Sequence, residues 1–143
     1  MKKALLVLAI ISLIAGSVIA RPVGSNTDEV EFDWAALFVI EGDMDDVEAD
    51  DDWLLDNDKD GGYVYDTEAV LVFSWDEVDG DFNLQFRVND ANGDDFWSDE
   101  FYFDSTEDYM IQKWQFAVDY TGTYDVYVYV NGYEWYHGSF ESQ

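Results

Sequence analysis

The stretch that most constrains the fold is the closing run from Tyr120 to Phe140, in which aromatic and β-branched residues alternate on both sides of Asn131-Gly132. Asn-Gly tolerates positive φ at both central positions of a two-residue turn, so it predicts a type I′ β-hairpin. With Val130 opposite Tyr133, the period of two places Tyr124, Val126, Val128 and Val130 on one face. Thr123, Asp125, Tyr127 and Tyr129 take the other. The valine face is the core face. A lone hairpin is marginal in water, so the remaining chain has to supply more strands and a second sheet.

Those strands are legible upstream. Val30, Phe32, Trp34, Ala36, Phe38 and Ile40 alternate with Glu31, Asp33, Ala35, Leu37, Val39 and Glu41, and the second half of this strand is apolar on both faces, as expected where both are covered. Periodicity stops between Gly42 and Thr67, where Asp43 to Asp60 forms an acid-rich stretch whose one substantial apolar cluster is Trp53, Leu54 and Leu55. Those three residues are expected to pin it to the body. Alternation resumes at Ala69, Leu71, Phe73 and Trp75, and again at Phe82, Leu84, Phe86 and Val88, with Asn83, Gln85, Arg87 and Asn89 outward. Phe96 to Phe103 reads as a fourth strand with Trp97, Phe101 and Phe103 on one side, and Trp114, Phe116, Val118 and Tyr120 mark a fifth. With the hairpin the total is seven. Turn signals between short strands and almost no helical period predict an all-β antiparallel sandwich with a long acidic insertion (residues 42–67) between its first two strands.

The N-terminus has Lys2 and Lys3, an apolar run from Ala4, and small residues ending at Ala20 before Arg21-Pro22. That is the layout of a secretory signal peptide, residues 1–20, followed by a linker over 21–27 and the domain over 28–143. Cleavage after Ala20 leaves no stable membrane insertion and a product that is secreted, held at the cell surface or retained in a periplasm. There is no cysteine, so the exported domain is held by packing or ions rather than disulfides. Removal of the signal leaves four basic residues against 33 acidic ones. Such a charge excludes nucleic acid as a natural partner and implies a salty or calcium-containing medium that screens self-repulsion. A chain this acidic with few aromatics would be disordered, but at 18% aromatic and 48% apolar it folds.

The segment Gly122-Thr-Tyr124-Asp-Val126, the turn Asn131-Gly132 and the return to Gly138-Ser-Phe140 resemble the last two strands of immunoglobulin-like domains on exported microbial proteins. The resemblance covers about residues 120–140, with Tyr124 where the tyrosine corner of such folds falls and Val126 where antibody domains have a cysteine. It implies a seven-stranded immunoglobulin-like sandwich. Adhesive, spacer and ligand-binding roles all occur on that fold.

Two constellations bear on chemistry. Asp56-Asn-Asp58-Lys-Asp60-Gly61 matches the opening of a calcium loop, in which alternate carboxylates converge on a hard cation and glycine permits the sharp turn; Asp66 and Glu68 are the near candidates to complete the site. Its ninth and twelfth positions, Val64 and Thr67, exclude an EF-hand. On the outer face of the hairpin, an unbroken register sets Tyr127 opposite Tyr136 and Tyr129 opposite Glu134. Such a row is either a platform for sugar rings or ordinary cross-strand pairing covered by another surface. Trp75, Trp97, Trp114 and Trp135 are expected in the core. His137 stands alone as the one histidine, and no serine sits in a nucleophile-elbow setting. The expectation is a non-enzymatic binding or structural module, salt-adapted or calcium-stabilised, acting on a protein or glycan partner at the cell surface. The alternative is a carbohydrate-binding module with a tyrosine platform and structural calcium.

Overall fold

A computed structural model describes residues 30–65, 67–105 and 111–143. The expected signal peptide and linker, and the candidate ligand Asp66, lie outside the described residues. Nine strands form among those residues: β1 (Glu31–Glu41), β2 (Tyr63–Val64), β3 (Glu68–Asp79), β4 (Phe82–Asn89), β5 (Asp95–Trp97), β6 (Phe101–Phe103), β7 (Ile111–Ala117), β8 (Gly122–Val130) and β9 (Tyr133–Ser142). A 3-10 turn, Met44–Asp46, and one helix, α1 (Asp51–Asn57), lie between β1 and β2. The small sheet has the order β1-β3-β7. The large sheet runs β2-β9-β8-β4-β5, with β6 also on β4. Pairing is antiparallel except between β2 and β9.

The two sheets close over one apolar core. Ala35, Leu37, Val39, Leu71, Phe73 and Trp75 of the small sheet meet Phe82, Leu84, Phe86, Tyr124, Val126, Val128 and Phe140 of the large one. The valine face of β8 is thus the core face, as the alternation predicts. Asn131 and Gly132 have φ of 53° and 80°, which is the type I′ turn that their residue types permit.

Three departures from simple alternation have identifiable causes. In β9 the register slips between Val128 and Tyr129: Tyr129 still faces Glu134, but Val128 faces Tyr136 and Tyr127 faces His137. Trp135 is the extra residue of this β-bulge, and both it and Tyr136 point inward. In the expected fourth strand, β5 and β6 pair β4 in registers one residue apart. Buried Ser98 bridges the slip, its amide donating to the Phe86 carbonyl and its hydroxyl accepting from the Phe86 amide. That slip turns Trp97 outward while Phe101 and Phe103 stay on the core side, correcting the expectation that all three share a side and that Trp97 is buried. With β2, the split raises the strand count from seven to nine. In the β1–β3 ribbon, Asp33 and Glu77 interrupt the pairing and Glu77 has φ of 50°. Phe32 and Val78 therefore pack on the main core whereas Trp34 lies on the opposite face, instead of sharing one face as strict alternation requires.

The second apolar cluster lies on the outer side of the small sheet, where Trp34, Ala36, Phe38, Ile40, Val70 and Val72 are buried with Val47 and Leu54. What covers them is the acid-rich segment. Asp50 caps α1 by accepting from the amides of Asp52 and Trp53, and Asp51 and Asp52 fill its first turn, where negative charge suits the helix dipole. Leu54 is fully buried, and Trp53 and Leu55 pack beside it. Burial of one leucine contributes about 1.5–3 kcal/mol. Ser74 Oγ on β3 donates to Asp51 Oδ1 at 3.0 Å, a polar tie beneath the helix.

Candidate functional site

The aspartates of the calcium-loop motif fold into a bracket. Asp56 is exposed on the last turn of α1. Asp58 follows the helix, and its Oδ1 accepts from the Val39 amide of β1 at 2.9 Å and from the Asp60 amide at 3.0 Å. Asp60 reaches the other sheet: Oδ1 accepts from the Ser139 amide of β9 at 3.0 Å and Oδ2 from the Tyr136 hydroxyl. Backbone bonds follow both, from Lys59 to Val39 and from Gly61 to Ser139. Two aspartates thus tie the end of the acidic segment to both sheets.

Burial sets their electrostatics. It pushes the Asp58 carboxyl up to about 6, against the opposing amide hydrogen bonds from Val39 and Asp60. It also raises Asp60, opposed chiefly by the Tyr136 hydroxyl. Tyr136 is itself pushed far above the usual phenol range, by burial first and by the Asp60 charge second. Gly138 permits this approach, since a Cβ there would lie 2.5 Å from Asp60 Oδ1. Glu68, the remaining candidate ligand among the described residues, opens β3. No three His, Cys, Asp or Glu side chains among the described residues gather as a group able to hold a metal ion. Of the three aspartates in the motif, Asp58 and Asp60 each accept backbone amides through Oδ1, and Asp56 stays exposed.

The outer face of the large sheet is organised as a row across four strands. Trp97 on β5 faces Arg87 on β4, Arg87 faces Tyr127 on β8, and Tyr127 faces His137 on β9. The Arg87 guanidinium carbon lies 4.5 Å from the Tyr127 ring centroid and 5.4 Å from that of Trp97. The His137 ring stacks on Tyr127 at 4.4 Å and 11°. Arg87 also donates to Tyr129 Oη at 3.2 Å and forms an ion pair with Asp95 at 2.9 Å. Hydrogen bonds from Asn89 and then Arg87 hold the Asp95 carboxyl below its usual range. Tyr129 packs on Trp97 with centroids 5.2 Å apart. Of the four residues expected on this face, Tyr127, Tyr129 and Glu134 are present, while Tyr136 has left it through the bulge. Sequence reasoning missed Trp97, Arg87 and His137 as members. Arg87 already sat on the outward side of the alternation; Trp97 and His137 were displaced by slips that periodicity does not encode.

No family model matches the chain, and no curated protein matches it. Among solved structures, one similar chain is a Pseudomonas fluorescens alkylpurine DNA glycosylase AlkC bound to DNA containing an abasic site analog, at 15% identity and a TM-score of 0.41. The match covers 57% of this chain and 27% of that one. A likeness this slight transfers neither fold nor activity.

Proposed function

We propose that this chain is an exported, non-catalytic immunoglobulin-like module, adapted to a high-salt medium, that acts through protein contacts. The observation that carries the reading is the Trp97–Arg87–Tyr127–His137 row. The Tyr127 ring lies between Arg87 and His137, its strand neighbours on either side, so its own faces are engaged rather than free for a sugar ring. His137, the one histidine, stacks on Tyr127 with Asp125 at 3.6 Å, an arrangement of cross-strand pairing rather than of a nucleophile and its base.

The immunoglobulin-like assignment is supported by the sheet orders, by the parallel pairing of β2 with β9, and by the Tyr120 amide donating to the Tyr124 hydroxyl four residues on, in the manner of a tyrosine corner. Export is supported by the N-terminal sequence. In this proposal cations act by screening. A net charge of −27 on 143 residues favours folding where the screening length is short, about 3 Å at molar salt against about 30 Å at 0.01 M. Glycan-array binding with and without molar sodium chloride, paired with thermal melting, tests both halves. The expected result is no sugar response and a melting temperature that falls steeply at low salt. Sugar binding that is lost in Trp97→Ala would return the carbohydrate-binding reading, and a melting temperature indifferent to salt would remove the salt adaptation.

A further inference from the structure

We infer that the free edge of β7 accepts an extended basic peptide segment as a fourth strand of the small sheet, a partner class that rests on the binding-module reading and extends it. In the order β1-β3-β7, no strand among the described residues lies beyond β7. The Val118 amide donates to the Thr67 carbonyl, which sets the phase of the β3–β7 ladder. Antiparallel pairs alternate in hydrogen bonding, so Phe116, Trp114 and Gln112 bond toward β3 while the backbone groups of Ile111, Lys113 and Gln115 point away from it. In that outward row the Lys113 carbonyl accepts from the Gln112 side-chain amide at 3.1 Å, a local bond that an incoming strand N–H would replace, and the row is otherwise a template for strand addition.

Beside the row, among the described residues, no strand closes the sandwich between β7 and β5–β6. Two cavities of about 520 and 250 Å³ adjoin there, sharing Trp114 and Gln115. Phe101 and Ile111 wall the first, Phe96 and Phe116 the second. Alternate side chains of an added strand would enter this apolar seam while its backbone pairs with β7.

Charge selects the occupant. From Ile111 to Val118 the chain carries no acidic residue, yet it carries 33 overall, and Asp90 and Asp119 line the mouth of the smaller cavity. A second copy would bring another −27 to the same place and be repelled. The Lys113 ammonium donates to the Met44 carbonyl at 3.2 Å, so the one positive charge of β7 is turned toward the 3-10 turn. A segment with apolar residues at alternate positions and lysine or arginine at its ends satisfies the edge, the seam and the surrounding field together.

The test uses the mature protein and a short peptide of alternating valine and threonine with lysines at both ends, followed by amide NMR shifts. Shifts should concentrate on Ile111 to Ala117. Lys113→Pro removes an outward N–H from an edge position that tolerates proline and should weaken binding roughly tenfold, the worth of about one hydrogen bond, whereas Lys113→Gln keeps the N–H and should bind like the parent. A peptide N-methylated at alternate residues should not bind the unaltered protein, a control independent of how the proline variant folds. Equal binding of a glutamate-ended peptide, retained binding of the methylated one, shifts centred on Trp97 and Tyr127, or self-association of the protein without peptide would overturn the inference. Those outcomes leave the protein-contact reading standing; that reading falls instead to a sugar response lost in Trp97→Ala.

Discussion

The small sheet turns an apolar outer face, Trp34, Phe38, Ile40, Val70 and Val72, toward α1 and the acidic segment, whereas the large sheet turns Arg87, Tyr127, Tyr129 and His137 toward solvent. The first face depends on a lid, because exposed aliphatic surface of that size gains about 25 cal/mol for each Å² removed from water. The second is stabilised in place by ring-to-cation and ring-to-ring contacts that tolerate water. Acidic residues serve both arrangements in different ways. Under the lid they cap α1 and bracket its exit; on the open face Asp95 neutralises Arg87. The strong acidity of this chain is therefore partly architectural, and its aspartates are not interchangeable surface charge.

The largest loss of stability is expected under the lid. Leu54→Ala should cost roughly 2–5 kcal/mol, the usual range for a fully buried leucine, as read from urea denaturation in high salt. Tyr129→Ala on the open face should cost less than half as much. Equal losses would mean that the two outer faces are not energetically distinct.

The bracket supplies the next effect, through pH. The Asp58 carboxyl titrates near 6 in the folded chain against an ordinary 3.8, so the folded state holds a proton that the unfolded state has released. The resulting stabilisation is fully present below about pH 4 and is lost as pH rises through 6, a change of up to about 3 kcal/mol. Asp58→Asn keeps an oxygen acceptor for the Val39 amide and should flatten stability over that window. A variant with the same slope as the parent would assign the pH dependence to other groups. Gly138→Ala should follow, since its Cβ displaces the Asp60 carboxylate from the Ser139 amide; a loss of about 1–3 kcal/mol in the same denaturation assay is expected.

The smallest effect belongs to the open face. Arg87→Gln removes the charge between Trp97 and Tyr127 and should cost about 0.5–1 kcal/mol, less in molar salt for its ion-pair part. A larger loss would make that row part of the folding core rather than a surface arrangement.

Most of the sandwich was legible in the sequence, and the parts that were not share one cause. Alternation identified β1, β3, β4, β7, β8 and β9 because each turns apolar side chains onto the core, only partly buried in β7, and Asn131-Gly132 specified its turn through backbone chemistry. Periodicity fails wherever one residue is inserted or a backbone angle departs from the pleat, as at Trp135, at Ser98 and at Glu77, because each such event exchanges the two faces for everything beyond it. The candidate site suffered most: Tyr136, which alternation counted into it, and Trp97, which alternation counted into the core, both lie next to those slips. Helix α1 was hidden because its apolar residues, Trp53, Leu54 and Leu55, are consecutive rather than periodic, although Asp50 followed by acidic residues was a readable cap. The D-x-D-x-D-G spacing was real but ambiguous, since a carboxylate that can ligate a cation can equally accept a backbone amide.

The acidic segment folds as a lid held by Leu54 and by the Asp58 and Asp60 brackets, and that hold is expected to stand without a bound ion. Amide hydrogen exchange in high salt with excess chelator tests it directly. The amides of Leu54, Lys59 and Gly61, which donate to Asp50, Val39 and Ser139, should be protected in chelator nearly as well as those of β1 and unchanged on adding calcium. Rapid exchange at these three amides in chelator, slowed by calcium but not by magnesium, would contradict it.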